Sequence, residues 1–276
     1  VVLLTSPFLQ LAGCVVASQI DIYHASGYIL ASPRVITANY TYVVTVTESP
    51  CVLSIHTFES FPYLKVAKEV FASVSPSRFY TSAEERDELG NRVFRIKFTA
   101  NIGEKLTISF LQYMIVYEVA FSIDSSKAGS YDRTAQLYLT YTAPSTYIES
   151  DHPEIVAASR RIVGNESNPY LQAKRIYEFV VQNMRFSDSL AKWNPATEGA
   201  LYALRTGTGV CRHHAALFVA LCRAAGIPAA EILGMWGLQG PVNHGWAHFY
   251  LRNYGWIPVE PTPGGQVKKN QTGYFS

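Results

Sequence analysis

Gly209-Val210-Cys211-Arg212-His213-His214, followed by Ala215-Ala216-Leu217-Phe218-Val219-Ala220-Leu221-Cys222-Arg223-Ala224-Ala225, places a cysteine at the mouth of a helix. Leu217, Phe218, Leu221, Cys222 and Ala225 recur at helical spacing. Gly226 and Pro228 supply the stop. At a first helical turn the unpaired backbone N–H groups and the positive end of the helix dipole favour a thiolate over a thiol. The stretch therefore predicts Cys211 as an attacking group.

Working outward, Ala230-Glu231-Ile232-Leu233-Gly234-Met235-Trp236 reads as a buried strand and His244-Gly245-Trp246-Ala247-His248-Phe249-Tyr250-Leu251 as the next. Asn253-Tyr254-Gly255 marks a turn into Trp256-Ile257-Pro258-Val259-Glu260. A hairpin that pairs Tyr250 near Trp256 puts His244 opposite position 262 and makes Glu260 its diagonal neighbour. An imidazole and a carboxylate then come within reach. With Cys211 on a helix packed against the hairpin, the expected set is nucleophile, base and orienting carboxylate: Cys211, His244 and Glu260.

The order Gly-Val-Cys, helix, Ala-Gly-Ile-Pro-Ala, His-x-Trp, then Gly-Trp-x-Pro-Val-acid-Pro-Thr resembles the transglutaminase-like superfamily. Its papain-like core runs Cys, His, Asp in chain order. The resemblance covers residues 201–264 and extends back to about Pro153, where Pro153-Glu154-Ile155-Val156 and the run 173–180 look like the leading helices. It implies an α+β chain: an N-terminal antiparallel β-sandwich followed by a papain-like core of helices packed on an antiparallel sheet. It also implies Cys211 as nucleophile and His244 as general base. Glu260 stands where the family usually has aspartate and adds a methylene to the orienting contact. The family commonly has an aromatic residue upstream of the cysteine that helps the oxyanion; Phe186 and Trp193 lie in that region. The backbone N–H of Cys211 is the expected oxyanion donor.

The 276 residues, nearly half apolar and with a formal charge of +2, describe a globular protein of one large or two smaller domains. Lys and Arg are scattered rather than clustered, which argues against a nucleic-acid partner. Residues 1–20 carry no charge and read either as a trimmed secretion signal or as a leading apolar strand. Within them Leu11-Ala12-Gly13-Cys14 resembles a bacterial lipobox, whose cysteine would tether the protein to a membrane. Thr5, Ser6, Pro7, Gln10, Ser18 and Gln19 make the stretch a poor transmembrane span. The expected location is extracytoplasmic or membrane-associated, and otherwise cytoplasmic.

Residues 21–148 are expected to form the sandwich. Its strands are read at 40–47, 52–56, 94–98, 105–110 and 113–121, with a turn at Glu88-Leu89-Gly90-Asn91. One further strand is expected at Gln136-Leu137-Tyr138-Leu139-Thr140. Glu149-Ser150-Asp151-His152-Pro153 reads as a helix start and places the border near residue 148, with residues 149–276 as the catalytic domain.

Four cysteines do not make a disulfide framework, although Cys14 could join Cys51 in an exported chain. Cys222 lies about 16 Å along the helix from Cys211 and reads as a core thiol. His213, His214, His244 and His248 beside Cys211 and Cys222 raise a metal reading. No Cys-x-x-Cys or structural-zinc histidine spacing supports it, so no metal or cofactor is expected. His248 reads as a flanking residue rather than the base.

The expected reaction is acyl transfer from a peptide bond or glutamine carboxamide through a thioester, on a protein or peptide substrate. Water as acceptor makes a cysteine protease or amidase; a lysine amine makes a crosslinking transglutaminase. The sequence has no calcium loop of alternating Asp and Asn, and hydrolysis is the favoured outcome. A catalytically inactive binding module is the remaining alternative.

Overall fold

The computed structural model describes residues 3–11, 15–16, 23–25, 28–56, 64–86, 91–236, 242–262 and 274–275. Cys14, the turn at 88–90 and Pro263 lie outside the described residues. Two compact units emerge, one built mainly from Ile29–Ala120 and the other from Phe121–Trp236 and Asn243–Ser276.

The first unit is all strand. In chain order these are β1 (Leu3–Leu11), β2 (Val15–Val16), β3 (Tyr23–Ala25), β4 (Tyr28–Thr45), β5 (Cys51–His56), β6 (Leu64–Ser75), β7 (Tyr80–Arg86), β8 (Arg92–Phe98) and β9 (Lys105–Phe121). One sheet runs β1-β4-β9-β6, with β2 and β3 also pairing β4; a second runs β5-β8-β7. Their inner faces share one core: Val44, Val74, Leu106, Ile108 and Phe110 from the first sheet meet Leu53, Ile96 and Phe98 from the second. Phe94 crosses between them, its ring edge-on to Phe110 at 5.1 Å. This is a sandwich of two antiparallel-paired sheets.

The strands expected at 105–110 and 113–121 are a single strand, β9. Leu106, Ile108, Phe110, Gln112 and Met114 are all buried, so the inward alternation runs unbroken through Gln112, whose polarity suggested a break.

The second unit begins earlier than residue 148. Phe121, Ile123, Ala128 and Tyr131 pack against its core, and Ile148 belongs to that core. Residues 121–131, expected within the sandwich, thus dock their apolar side chains here. The residues read as a strand at 136–140 form helix α1 (Gln136–Thr142). Tyr138 and Tyr141, three apart and so on one helical face, explain the choice: Tyr138 meets Tyr131 at 5.8 Å and Tyr141 meets Trp256 edge-on at 4.8 Å.

The remaining elements are α2 (Pro153–Val163), α3 (Pro169–Asn183), β10 (Arg185–Phe186), α4 (Ala200–Thr206), β11 (Thr208–Gly209), α5 (Cys211–Ala224), β12 (Ala229–Trp236), β13 (Val242–Leu251), β14 (Gly255–Glu260) and β15 (Tyr274–Phe275). Pro153 and Pro169 open their helices where a missing N–H costs nothing. Asn168 caps α3 by accepting from the N–H groups of Tyr170 and Leu171.

Helix α5 is the axis of this unit. Every residue from His213 to Cys222 is buried. A helix apolar all round must be covered all round. Apolar residues of α2, α3 and α4 (Ile155, Ala173, Ile176, Val180, Ala203) and of β13 and β14 (Ala247, Phe249, Leu251, Ile257, Val259) share its core. Phe218 meets Phe249 edge-on at 6.3 Å.

The sheet on α5 has the order β12-β13-β14-β15. In the β13–β14 hairpin Tyr250 pairs Trp256 and Ala247 pairs Val259. Asn253 and Gly255 turn the corner with φ of 79° and 82°, a conformation that favours Asn and Gly. Among the described residues no helix is long and apolar enough to cross a membrane.

Candidate active site

Cys211 is the first residue of α5 and is half-buried. Two local devices hold it there. Gly209 lies so close to the helix that a Cβ on it would sit 2.3 Å from the Cβ of His213, so any other residue would displace the first turn. Arg212, the next residue, forms a two-pronged ion pair with Glu198 at 2.6 Å on each side and donates to the carbonyl of Leu190 at 2.8 Å. Burial alone would raise Glu198, but Arg212 outweighs it and holds the carboxyl below its usual range. This pairing joins residues fourteen apart and has no signature in the sequence.

The hairpin register carries His244 and Glu260 to the diagonal neighbour positions. The Nε2 of His244 is hydrogen-bonded to Oε2 of Glu260. The other carboxylate oxygen, Oε1, accepts from the backbone N–H of Thr262 at 2.9 Å. The longer glutamate side chain is therefore anchored at both oxygens. The imidazole is also hydrogen-bonded to the thiol of Cys211. Cys211, His244 and Glu260 are thus brought into one chain of contacts.

The electrostatics run in matching directions. Burial pushes the Cys211 thiol up. The hydrogen bond with His244 and the N–H groups of Gly245 and Arg212 outweigh it and leave the thiol below its usual value. Burial likewise opposes charge on His244. Its contacts with Cys211 and Glu260 prevail and raise the imidazole to about 9. Both shifts favour the charged pair, thiolate and imidazolium, over the neutral one.

Trp246 flanks the pair. Its ring stacks on His244 at 6.2 Å and donates its indole N–H to Nε2 of His248 at 3.2 Å. Gly234 on β12 makes room for it: a Cβ there would lie 2.6 Å from the indole edge. His248 is buried and accepts that bond, and burial pushes it down to about 3, so it stays neutral. Cys222 is fully buried, and burial raises its thiol. Cys51, in the other unit, donates to the carbonyl of Glu48 at 3.0 Å.

Of the two upstream aromatics, Phe186 can donate nothing to an oxyanion. Phe186 has no polar atom and stacks on His214 at 6.5 Å. Trp193 is 59% exposed, with its ring edge-on to Tyr147. Among the described residues no group of three or more His, Cys, Asp or Glu is placed to hold a metal ion.

Glu231 on β12 was not singled out by sequence. Burial raises its carboxyl to about 7, with Arg212 opposing and Glu198 adding to the rise. Ionisation of an acid whose folded pKa exceeds its unfolded one favours the unfolded chain. Wild type therefore loses stability as pH climbs from 4.5 towards about 7, and Glu231→Gln removes that loss. The expected result is a higher urea midpoint for the variant at pH 8 than for wild type, with the gap closing at pH 4. An equal gap at both pH values would refute the assignment.

Comparison with known proteins finds similarities in sequence and in fold. Residues 156–261 match the sequence model of the Transglutaminase-like superfamily. An uncharacterized Haemophilus influenzae protein is 32% identical over 123 residues, covering 36% of this chain; the chain spans about a third (33%) of that relative's length. A candidate cysteine protease from Cytophaga hutchinsonii has the same fold, with a TM-score of 0.67 at 21% identity over 85% of this chain and 78% of that one. The periplasmic domain of TgpA from Pseudomonas aeruginosa aligns with a TM-score of 0.42 at 13% identity, over 82% of this chain and 69% of that one.

Proposed function

We propose that the transglutaminase-like core carried by residues 156–261 is a thiol-dependent acyl-transfer enzyme that hydrolyses peptide or carboxamide bonds. The observation that carries this reading is the contact chain Cys211–His244–Glu260, with the thiol lowered and the imidazole raised.

In this mechanism the thiolate of Cys211 attacks the substrate carbonyl carbon and the carbonyl's π pair moves to oxygen. The resulting oxyanion rests on the backbone N–H at the start of α5. His244, as imidazolium, gives its proton to the departing amine or ammonia, and a thioester remains. Glu260 holds the imidazole tautomer and favours its charged form.

The test is a glutaminyl peptide incubated with and without a primary amine such as dansylcadaverine. Peptide cleavage or ammonia release that proceeds without the amine supports hydrolysis. Product formed only with amine incorporation makes the protein a transglutaminase. No thiol-dependent product with either leaves the core a binding module.

Glu260→Gln separates charge from shape. It is expected to lower turnover about tenfold or more and to move the alkaline limb of activity below the wild-type value of about 9, because the imidazolium loses its carboxylate partner. Melting near neutral pH should fall modestly, because the raised imidazole loses its carboxylate partner. Wild-type turnover in this variant would remove Glu260 from the mechanism.

A further inference from the structure

The residue before the nucleophile is gripped at both ends by consecutive buried histidines. Val210 donates its N–H to Nδ1 of His213 at 3.2 Å. The carbonyl of Val210 accepts the backbone N–H of His213 at 2.9 Å and also lies 3.0 Å from Nδ1 of His214. A carbonyl only accepts, so Nδ1 of His214 carries the proton and Nε2 is bare. That Nε2 is buried with no hydrogen-bond partner, and burial holds the ring neutral. His213 has the opposite tautomer: Nδ1 accepts, and Nε2–H donates to the carbonyl of Thr197 at 2.9 Å. The two rings are 1% and 0% exposed.

The carbonyl of Val210 and the N–H of Cys211 belong to one planar peptide group and point in opposite directions when it is trans. Holding the carbonyl therefore fixes the direction of the N–H. A hydrogen bond to the carbonyl also polarises the group and strengthens its N–H as a donor. We propose that His214 is a positioning residue: its Nδ1–H, by holding the Val210 carbonyl, aims the backbone N–H of Cys211 at the oxygen that becomes negative during attack. This rests on the acyl-transfer reading above. His213 holds the other side of Val210 and keeps the residue from rotating.

Two small reagents separate this role from thiolate formation. Acylation by p-nitrophenyl acetate forms the S–C bond while the carbonyl's π pair moves to oxygen; collapse then expels p-nitrophenolate and leaves an acetyl thioester. Alkylation by iodoacetamide forms an S–C bond as iodide leaves, with no oxyanion. His214→Asn keeps a donor at the Nδ1 position, His214→Gln moves it to the Nε2 position, and His214→Phe keeps the ring against Phe186 without any donor.

In the Gln and Phe variants acylation is expected to fall about tenfold or more, while alkylation stays within about twofold. Asn is expected to keep acylation within about threefold. Should Phe not fold, the Asn and Gln pair decides alone. The proposal is overturned if Gln is acylated like wild type, if acylation and alkylation fall together, or if Asn melts far below wild type. Wild type acylated no faster than Cys211→Ala would instead overturn the acyl-transfer reading itself.

Discussion

Replacing His244 with alanine is expected to cut acyl transfer about a thousandfold or more, because one side chain both takes the thiol proton and returns it to the leaving group. Wild-type Cys211 should be alkylated by iodoacetamide at a rate that levels off well below the usual thiol value of about 8.5. Its pKa is lowered chiefly through His244, so in His244→Ala the plateau should shift upward. Amide hydrolysis adds a second limb. It needs the imidazolium as acid and should decline as pH passes about 9, whereas alkylation, which needs only thiolate, should not.

The divergence of the two curves above that pH separates the acid from the base role of one residue. Cys222 is an internal control: buried and raised, it should not react. A wild-type alkylation profile that rises like an ordinary thiol's and is unchanged in His244→Ala would eliminate the ion pair and leave the binding-module reading.

The folding counterpart carries a sign of its own. The folded pKa of His244 lies above its unfolded value, so the stability it contributes is present below about 6.5 and is lost as pH rises through about 9.

The largest effect on stability should come from Phe218→Ala. Phe218 is fully buried at the centre of α5, with its ring against Phe249. Truncation removes a ring from a site walled by helices and by strands, neither of which can move in to fill it. A cost of about 3–5 kcal/mol is expected, a large fraction of a domain's net stability. Thermal unfolding followed by circular dichroism should show the second unit melting about 10 °C lower or more. A loss under about 1 kcal/mol would mean that the core around α5 relaxes, contrary to its dense packing. Because α5 begins at Cys211, the same variant links packing to chemistry: the site is only as fixed as the helix that presents it.

How much of this was legible in sequence depended on whether the signal was local. The helical period of 217–225 with its Gly226 and Pro228 stop located α5 and set Cys211 at its first turn, since a helix start is written in neighbouring residues. The Asn253–Gly255 turn set the hairpin register, and register alone carried His244 to the diagonal of Glu260. Alternation marked the strands of the first half, and the resemblance to the transglutaminase-like superfamily implied the α+β architecture.

What local pattern could not decide was what each side chain would meet. Gln136 to Thr140 reads as a strand but coils, because Tyr138 packs on nearby Tyr131 and Tyr141 on Trp256, far along the chain. That the run from Phe121 to Tyr131 packs on the core of the second unit is a matter of docking, to which composition is blind. The Arg212–Glu198 clamp, the rise of Glu231 and the two histidines that hold Val210 depend on burial and on contacts across loops. Sequence by itself determined which groups could do chemistry and in what order the chain presents them. Only the tertiary structure decided their charge states and aim, because these are set by desolvation and by partners distant in sequence.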